Sequence, residues 1–116
     1  MLVNGSDQDS ITGNDRGLAY GDGVFETIRL HNNKPVLLGS HLNRLALGAQ
    51  RLQISLNLEH LEQELEQLAL EYPAQGVLKI LVTRGTGGRG YRPPAEADTT
   101  RLLTLHPLPD YAGTDK

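Results

Sequence analysis

Asp15-Arg-Gly-Leu-Ala-Tyr-Gly-Asp-Gly-Val-Phe-Glu-Thr-Ile-Arg29 is the stretch around which this chain is organised. Its first half is turn chemistry, because Gly17, Gly21 and Gly23 permit backbone angles that other residues resist. Its second half alternates from Val24 to Leu30. Val24, Glu26, Ile28 and Leu30 fall on one side, and Phe25, Thr27 and Arg29 on the other, which predicts a strand. A glycine-rich loop delivered onto a strand end is a good place to hold a ligand.

Upstream, Leu2-Val3 starts a short edge strand, and Asn4-Gly5 is the strongest two-residue hairpin signal. Ser10-Ile11-Thr12 is the expected returning strand, and Gly13-Asn14-Asp15 breaks regular structure. Downstream, Asn32-Asn33 makes a turn, and Pro35 to Leu38 reads as the strand paired across it. Ser40 is placed to cap a helix from His41 to about Gln53, with Leu42, Leu45, Ala49 and Leu52 on its buried face. Gly48 on the same helix suggests close packing, or room for something against that side. Asn57 is placed to cap a second helix, Leu58 to Tyr72, with an apolar stripe of Leu58, Leu61, Leu65, Leu68 and Tyr72. Val77 to Thr83 is too continuously apolar for a half-exposed strand and reads as the centre of a sheet. Arg101 to Leu105 is a last strand. The order is strand-rich, then two helices, then strand-rich. That predicts an α+β fold, a two-layer domain with a mainly antiparallel sheet covered by two helices.

The 116 residues suffice for one core, and a net charge of −3 gives no overall basic field for nucleic acid. There is no cysteine, which suits a reducing cytosol, and no apolar run long enough to span a membrane. The histidines His31, His41, His60 and His106 show no metal-ligand spacing, so no metal is expected. Gly85-x-Gly87-x-x-Gly90 matches a dinucleotide-binding string after a strand. However, Tyr91-Arg92-Pro93-Pro94 follows where a helix must begin, and a Rossmann site is rejected. What remains is a loop carrying Arg84, Arg89 and Arg92 beside Tyr91, with guanidinium groups suited to carboxylates and phosphates. Arg44, close to a helix start beside His41, can be read either as a surface arginine or as an anion clamp. Asp15 and Arg16 are expected to brace the glycine turn rather than react. Asp22 and Glu26 do not make a catalytic carboxylate pair.

Three motifs in order resemble the fold-type IV pyridoxal-phosphate enzymes. They are Asp15 to Arg29, then His41-Leu-Asn-Arg-Leu45, then Thr83-Arg-Gly-Thr-Gly-Gly-Arg-Gly-Tyr91. That family includes branched-chain and D-amino-acid aminotransferases and 4-amino-4-deoxychorismate lyases. Within it, Arg84 to Tyr91, Val77-Leu78-Lys79 and Gln50-Arg51-Leu52 resemble the lyases most. The resemblance implies that Arg44 binds the phosphate of the cofactor, pyridoxal 5′-phosphate. It implies that Phe25, Arg89 and Tyr91 bind the substrate, and that Phe25, lacking a hydroxyl, disfavours a D-amino-acid aminotransferase. It also implies a cytoplasmic homodimer acting on a small molecule, aminodeoxychorismate or an amino acid.

The family carries its cofactor on a Schiff-base lysine in a second, larger domain. The only lysines here are Lys34, Lys79 and Lys116, and none lies in that motif. The expectation is therefore a small N-terminal domain over residues 1–109, the start of an interdomain linker at 110–116, and no C-terminal catalytic domain. Such a chain is expected to be inactive alone. The rival to an enzyme fragment is a non-catalytic domain used for binding or dimerisation.

Overall fold

The computed structural model describes residues 1–71, 75–86 and 99–107. It is an α+β fold. One antiparallel sheet of six strands runs in the order β2-β1-β6-β5-β3-β4. The long central strands are β3 (Gly23–His31), β5 (Gly76–Thr83) and β6 (Thr100–His106), and the short ones are β1 (Leu2–Val3), β2 (Ser6–Asp7) and β4 (Lys34–Pro35). Helices α2 (Leu38–Leu52) and α3 (Leu58–Glu71) supply the second layer.

Both outer hairpins follow from asparagine chemistry. Asn4 and Gly5 have φ of 53° and 85°, and Asn32 and Asn33 have φ of 52° and 61°. Two left-handed residues in a row make the turn whose twist matches a two-residue hairpin. Each hairpin closes at once, with Val3 opposite Ser6 and His31 opposite Lys34. The returning strand is thus Ser6–Asp7 and not Ser10–Thr12, and the second is Lys34–Pro35 and not Pro35–Leu38.

The start of α2 also differs from expectation. Leu37 adopts φ 56° and turns the chain straight into the helix at Leu38, with no side-chain cap, which puts Ser40 inside the helix. The cap on α3 is as expected, with the Asn57 Oδ1 accepting from the His60 N–H at 3.1 Å.

The core lies between the helices and one face of the sheet. Leu42, Leu45 and Ala49 of α2 and Leu61, Leu65 and Leu68 of α3 pack on Ile28, Leu30, Leu78, Ile80, Val82 and Leu103. Each such large side chain stabilises the fold by about 1.5–3 kcal/mol. Leu52, expected on the buried face of α2, is 40% exposed. Gly48 serves packing, because a Cβ there would meet Val24 Cγ1 at 3.1 Å. Among the described residues no helix is long and apolar enough to cross a membrane.

Candidate functional site

The organising stretch does more than turn. Residues Arg16–Tyr20 form a short helix, α1, capped by Asp15, whose Oδ1 accepts from the Gly17 N–H at 2.9 Å. Gly21 ends it at φ 66°. Of the three glycines only Gly21 needs a left-handed backbone. Gly17 is required by closeness, since a Cβ there would collide with Thr83 Cγ2. Asp15 itself is buried and joins α1 to two strands. Thr83 Oγ1 donates to its Oδ1 (2.6 Å), and Thr100 Oγ1 donates to its Oδ2 (2.7 Å). With both oxygens bonded, Asp15 braces the turn, as expected from the sequence.

Two carboxylate–arginine clusters flank the start of β3. In the first, Asp22 Oδ2 accepts from Arg16 Nε (3.0 Å) and Arg84 Nε (2.7 Å). Arg16 is buried and also stacks on the Tyr20 ring, 4.7 Å from its centroid. The other nitrogens of Arg84 donate to the Leu52 and Gln53 carbonyls at the end of α2. A cation there satisfies orphan carbonyls and complements the helix dipole. Burial works against the charge of Asp22, but the hydrogen bonds from Arg84 and Arg16 outweigh it and hold its carboxyl below the ordinary range. Arg84, the first of the three loop arginines, is thereby committed to structure.

The second cluster is Glu26, Arg44 and His41. Arg44 grips Glu26 side-on, with Nε donating to Oε2 (3.0 Å) and Nη2 to Oε1 (2.8 Å). His41 Nδ1 lies 2.7 Å from the same Oε1. That bond needs a proton on Nδ1, so the 3.5 Å approach of Arg44 Nη2 to Nδ1 is a contact between two donors. The Arg44 hydrogen bonds, reinforced by His41, hold the Glu26 carboxyl below its ordinary value against its burial. Glu26 in turn raises the pKa of Arg44. The cluster differs from the first in access: the Arg44 side chain is 70% exposed. Its Nη1 has no hydrogen-bond partner among the described residues. A guanidinium fixed along one edge and open along the other fits a phosphate or carboxylate.

Phe25 lies on the other side of the sheet. Alternation along β3 sends Glu26 toward the helices and Phe25, 62% exposed, to the face they leave open. There Lys79 sits over its ring, 5.7 Å from the centroid. The structure therefore does not bring Arg44 and Phe25 together on one surface; they flank the start of β3 from opposite faces. Arg89 and Tyr91 lie outside the described residues. Lys34 and Lys79 are exposed, on strands β4 and β5. A groove of about 570 Å³ between the first hairpin and Asp15 is lined by neither Arg44 nor Phe25. No group of three or more metal-ligating side chains occurs among the described residues.

The role of Glu26 had a sequence signal. A lone carboxylate sits among Val24, Ile28 and Leu30 on the buried side of an alternating strand, and such a charge needs a partner. The partners, His41 and Arg44, come from a helix whose docking on β3 the sequence does not print.

Residues 23–116 match the model of the amino-transferase class IV family. The chain belongs to that family. Its members depend on pyridoxal phosphate. The chain superposes on 4-amino-4-deoxychorismate lyase from Pseudomonas aeruginosa with a TM-score of 0.88 and 46% identity, over 93% of this chain and 40% of that one. It is 35% identical over 104 residues to a putative branched-chain-amino-acid aminotransferase of Methanocaldococcus jannaschii, covering 87% of this chain and 36% of the relative. It is 32% identical to a D-alanine aminotransferase of Staphylococcus aureus over 70% of this chain and 30% of the relative. The chain thus spans about a third of the length of these curated relatives.

Proposed function

We propose that this chain is the N-terminal part of an aminodeoxychorismate lyase, which converts 4-amino-4-deoxychorismate to 4-aminobenzoate and pyruvate in folate biosynthesis. The observation that carries this reading is the 46% identity, over nearly the whole chain, to a lyase of that name. Identity to the two aminotransferases named above is 35% and 32%.

In this reading Arg44 holds the cofactor phosphate on its open edge, while Glu26 and His41 keep the guanidinium from swinging away. The exposure of that edge is what makes the residues fit the group. When bound, pyridoxal phosphate supplies an electron sink that eases proton loss from the substrate amine carbon. Arg89 and Tyr91 meet the substrate carboxylate in this reading, whereas Phe25, on the face of β3 away from Arg44, could wall a ring-bearing substrate only beyond the start of that strand. In this reading the general base is the lysine that the family carries in its C-terminal domain. Residues 110–116 begin the linker to that domain, and the complete enzyme is a cytoplasmic homodimer.

The experiment is turnover by the enzyme containing this chain. Release of pyruvate and 4-aminobenzoate from aminodeoxychorismate supports the lyase. Glutamate-dependent amino transfer without pyruvate release supports the aminotransferase reading, which the 35% identity over 87% of the chain favours as second choice. The 116 residues alone are expected to show no turnover.

A further inference from the structure

The open edge of Arg44 is held open by something. An arginine on a surface helix has several rotatable bonds, and ordering it costs rotamer freedom. Arg44 is ordered although its side chain is 70% exposed, because its Nε/Nη2 edge is pinned to Glu26 at 3.0 and 2.8 Å. Glu26 is itself only 8% exposed, anchored in β3 with Ile80 as its cross-strand partner. His41 takes up Oε1 at 2.7 Å, one helical turn before Arg44. The chain of support runs from the rigid sheet through a buried carboxylate to an exposed guanidinium.

We infer that Glu26 is a positioning residue for anion binding: it aims Arg44 at an incoming phosphate even though its own charge opposes that phosphate. This deepens the assignment of Arg44 proposed above and rests on it. Glu26 does not touch the anion; it acts through Arg44.

The inference has a sign that charge alone does not give. Glu26 and Arg44 together are neutral. Replacing Glu26 with a neutral residue leaves the site with one more net positive charge. Electrostatic attraction by itself then predicts tighter binding of a phosphate. Positioning predicts the reverse, because the freed guanidinium must be ordered again by the anion. His41 has the lesser part, since it hydrogen-bonds the carboxylate and meets the guanidinium only donor to donor.

The test uses the 116-residue chain and inorganic phosphate, with the Arg44 Nε–H resonance followed by NMR at constant ionic strength. Wild type is expected to show a saturable shift at Arg44 and at the backbone amides around it, and in Arg44→Gln those backbone amides are expected to lose their response to phosphate. Glu26→Gln and Glu26→Asp are expected to weaken binding three- to tenfold. Glu26→Asp keeps the charge and shortens the reach, so a loss there isolates geometry from charge. Backbone spectra confirm that each variant is folded. If Glu26→Gln binds equally or more tightly, or if Glu26→Asp binds like wild type, the positioning role is overturned while Arg44 stands. If wild type shows no phosphate response at Arg44, the assignment of Arg44 fails first.

Discussion

Two clusters in this domain use the same chemistry for different ends. Asp22 lies between Arg16 and Arg84, and Glu26 lies between Arg44 and His41. Both carboxyls are held below their ordinary range, chiefly by the arginine hydrogen bonds they accept. In the first cluster the arginines are only 2% and 15% exposed, and Arg84 spends its remaining donors on the end of α2. In the second, the arginine stands 70% exposed, with one edge unpartnered among the described residues. A motif of arginines beside glycines thus says little by itself. What separates a brace from a grip is whether the donors are already spent.

The largest effect is expected on the sealed side. Asp22→Ala removes the carboxylate that the buried Arg16 and Arg84 share. It is expected to cost about 3–5 kcal/mol in urea denaturation, as breaking a buried ion pair does. A cost below about 1 kcal/mol would erase the distinction between the clusters. Gly17→Ala tests the same region by packing alone. Its new methyl must displace Thr83, and a loss of about 1–3 kcal/mol is expected, read as a lowered Tm.

Acid should affect both clusters in the same direction. Each carboxyl has a lower pKa folded than unfolded, so near the ordinary carboxylate range the unfolded chain binds more protons. The stabilisation is whole at neutral pH and is lost as pH falls from about 5 through the folded values. Acid titration of Asp22→Asn, followed by circular dichroism, should show a shallower loss than wild type. On the open side the stability effect is the smallest. Arg44→Gln should leave the Tm closer to wild type than Asp22→Ala does, while removing the response to phosphate.

The sequence made the scaffold legible where a local pattern maps onto one structure. The asparagine pairs specify their hairpin turns, and Asn57 caps α3 as read. The alternation of Val24 to Leu30 assigns both faces of β3 correctly. The apolar run at Val77 to Thr83 is the strand flanked by β3 and β6. Helix α1 escaped because five residues hold too little periodicity to reveal a helix. The start of α2 was missed because it depends on a left-handed Leu37, a conformation that no residue preference announces. The sequence offers Arg44 and Phe25 as candidates, but not that they flank β3 on opposite faces. Nor could the commitment of Arg84 be read. Its partners Asp22, Leu52 and Gln53 lie 31 to 62 residues away in the chain.

The most direct measurement is a single phosphate titration that follows the Nε–H resonances of Arg44 and Arg84 together in the wild-type chain. The distinction between grip and brace predicts that Arg44 shifts and saturates while Arg84 stays still. Equal shifts at both, or a shift at Arg84 alone, would contradict it.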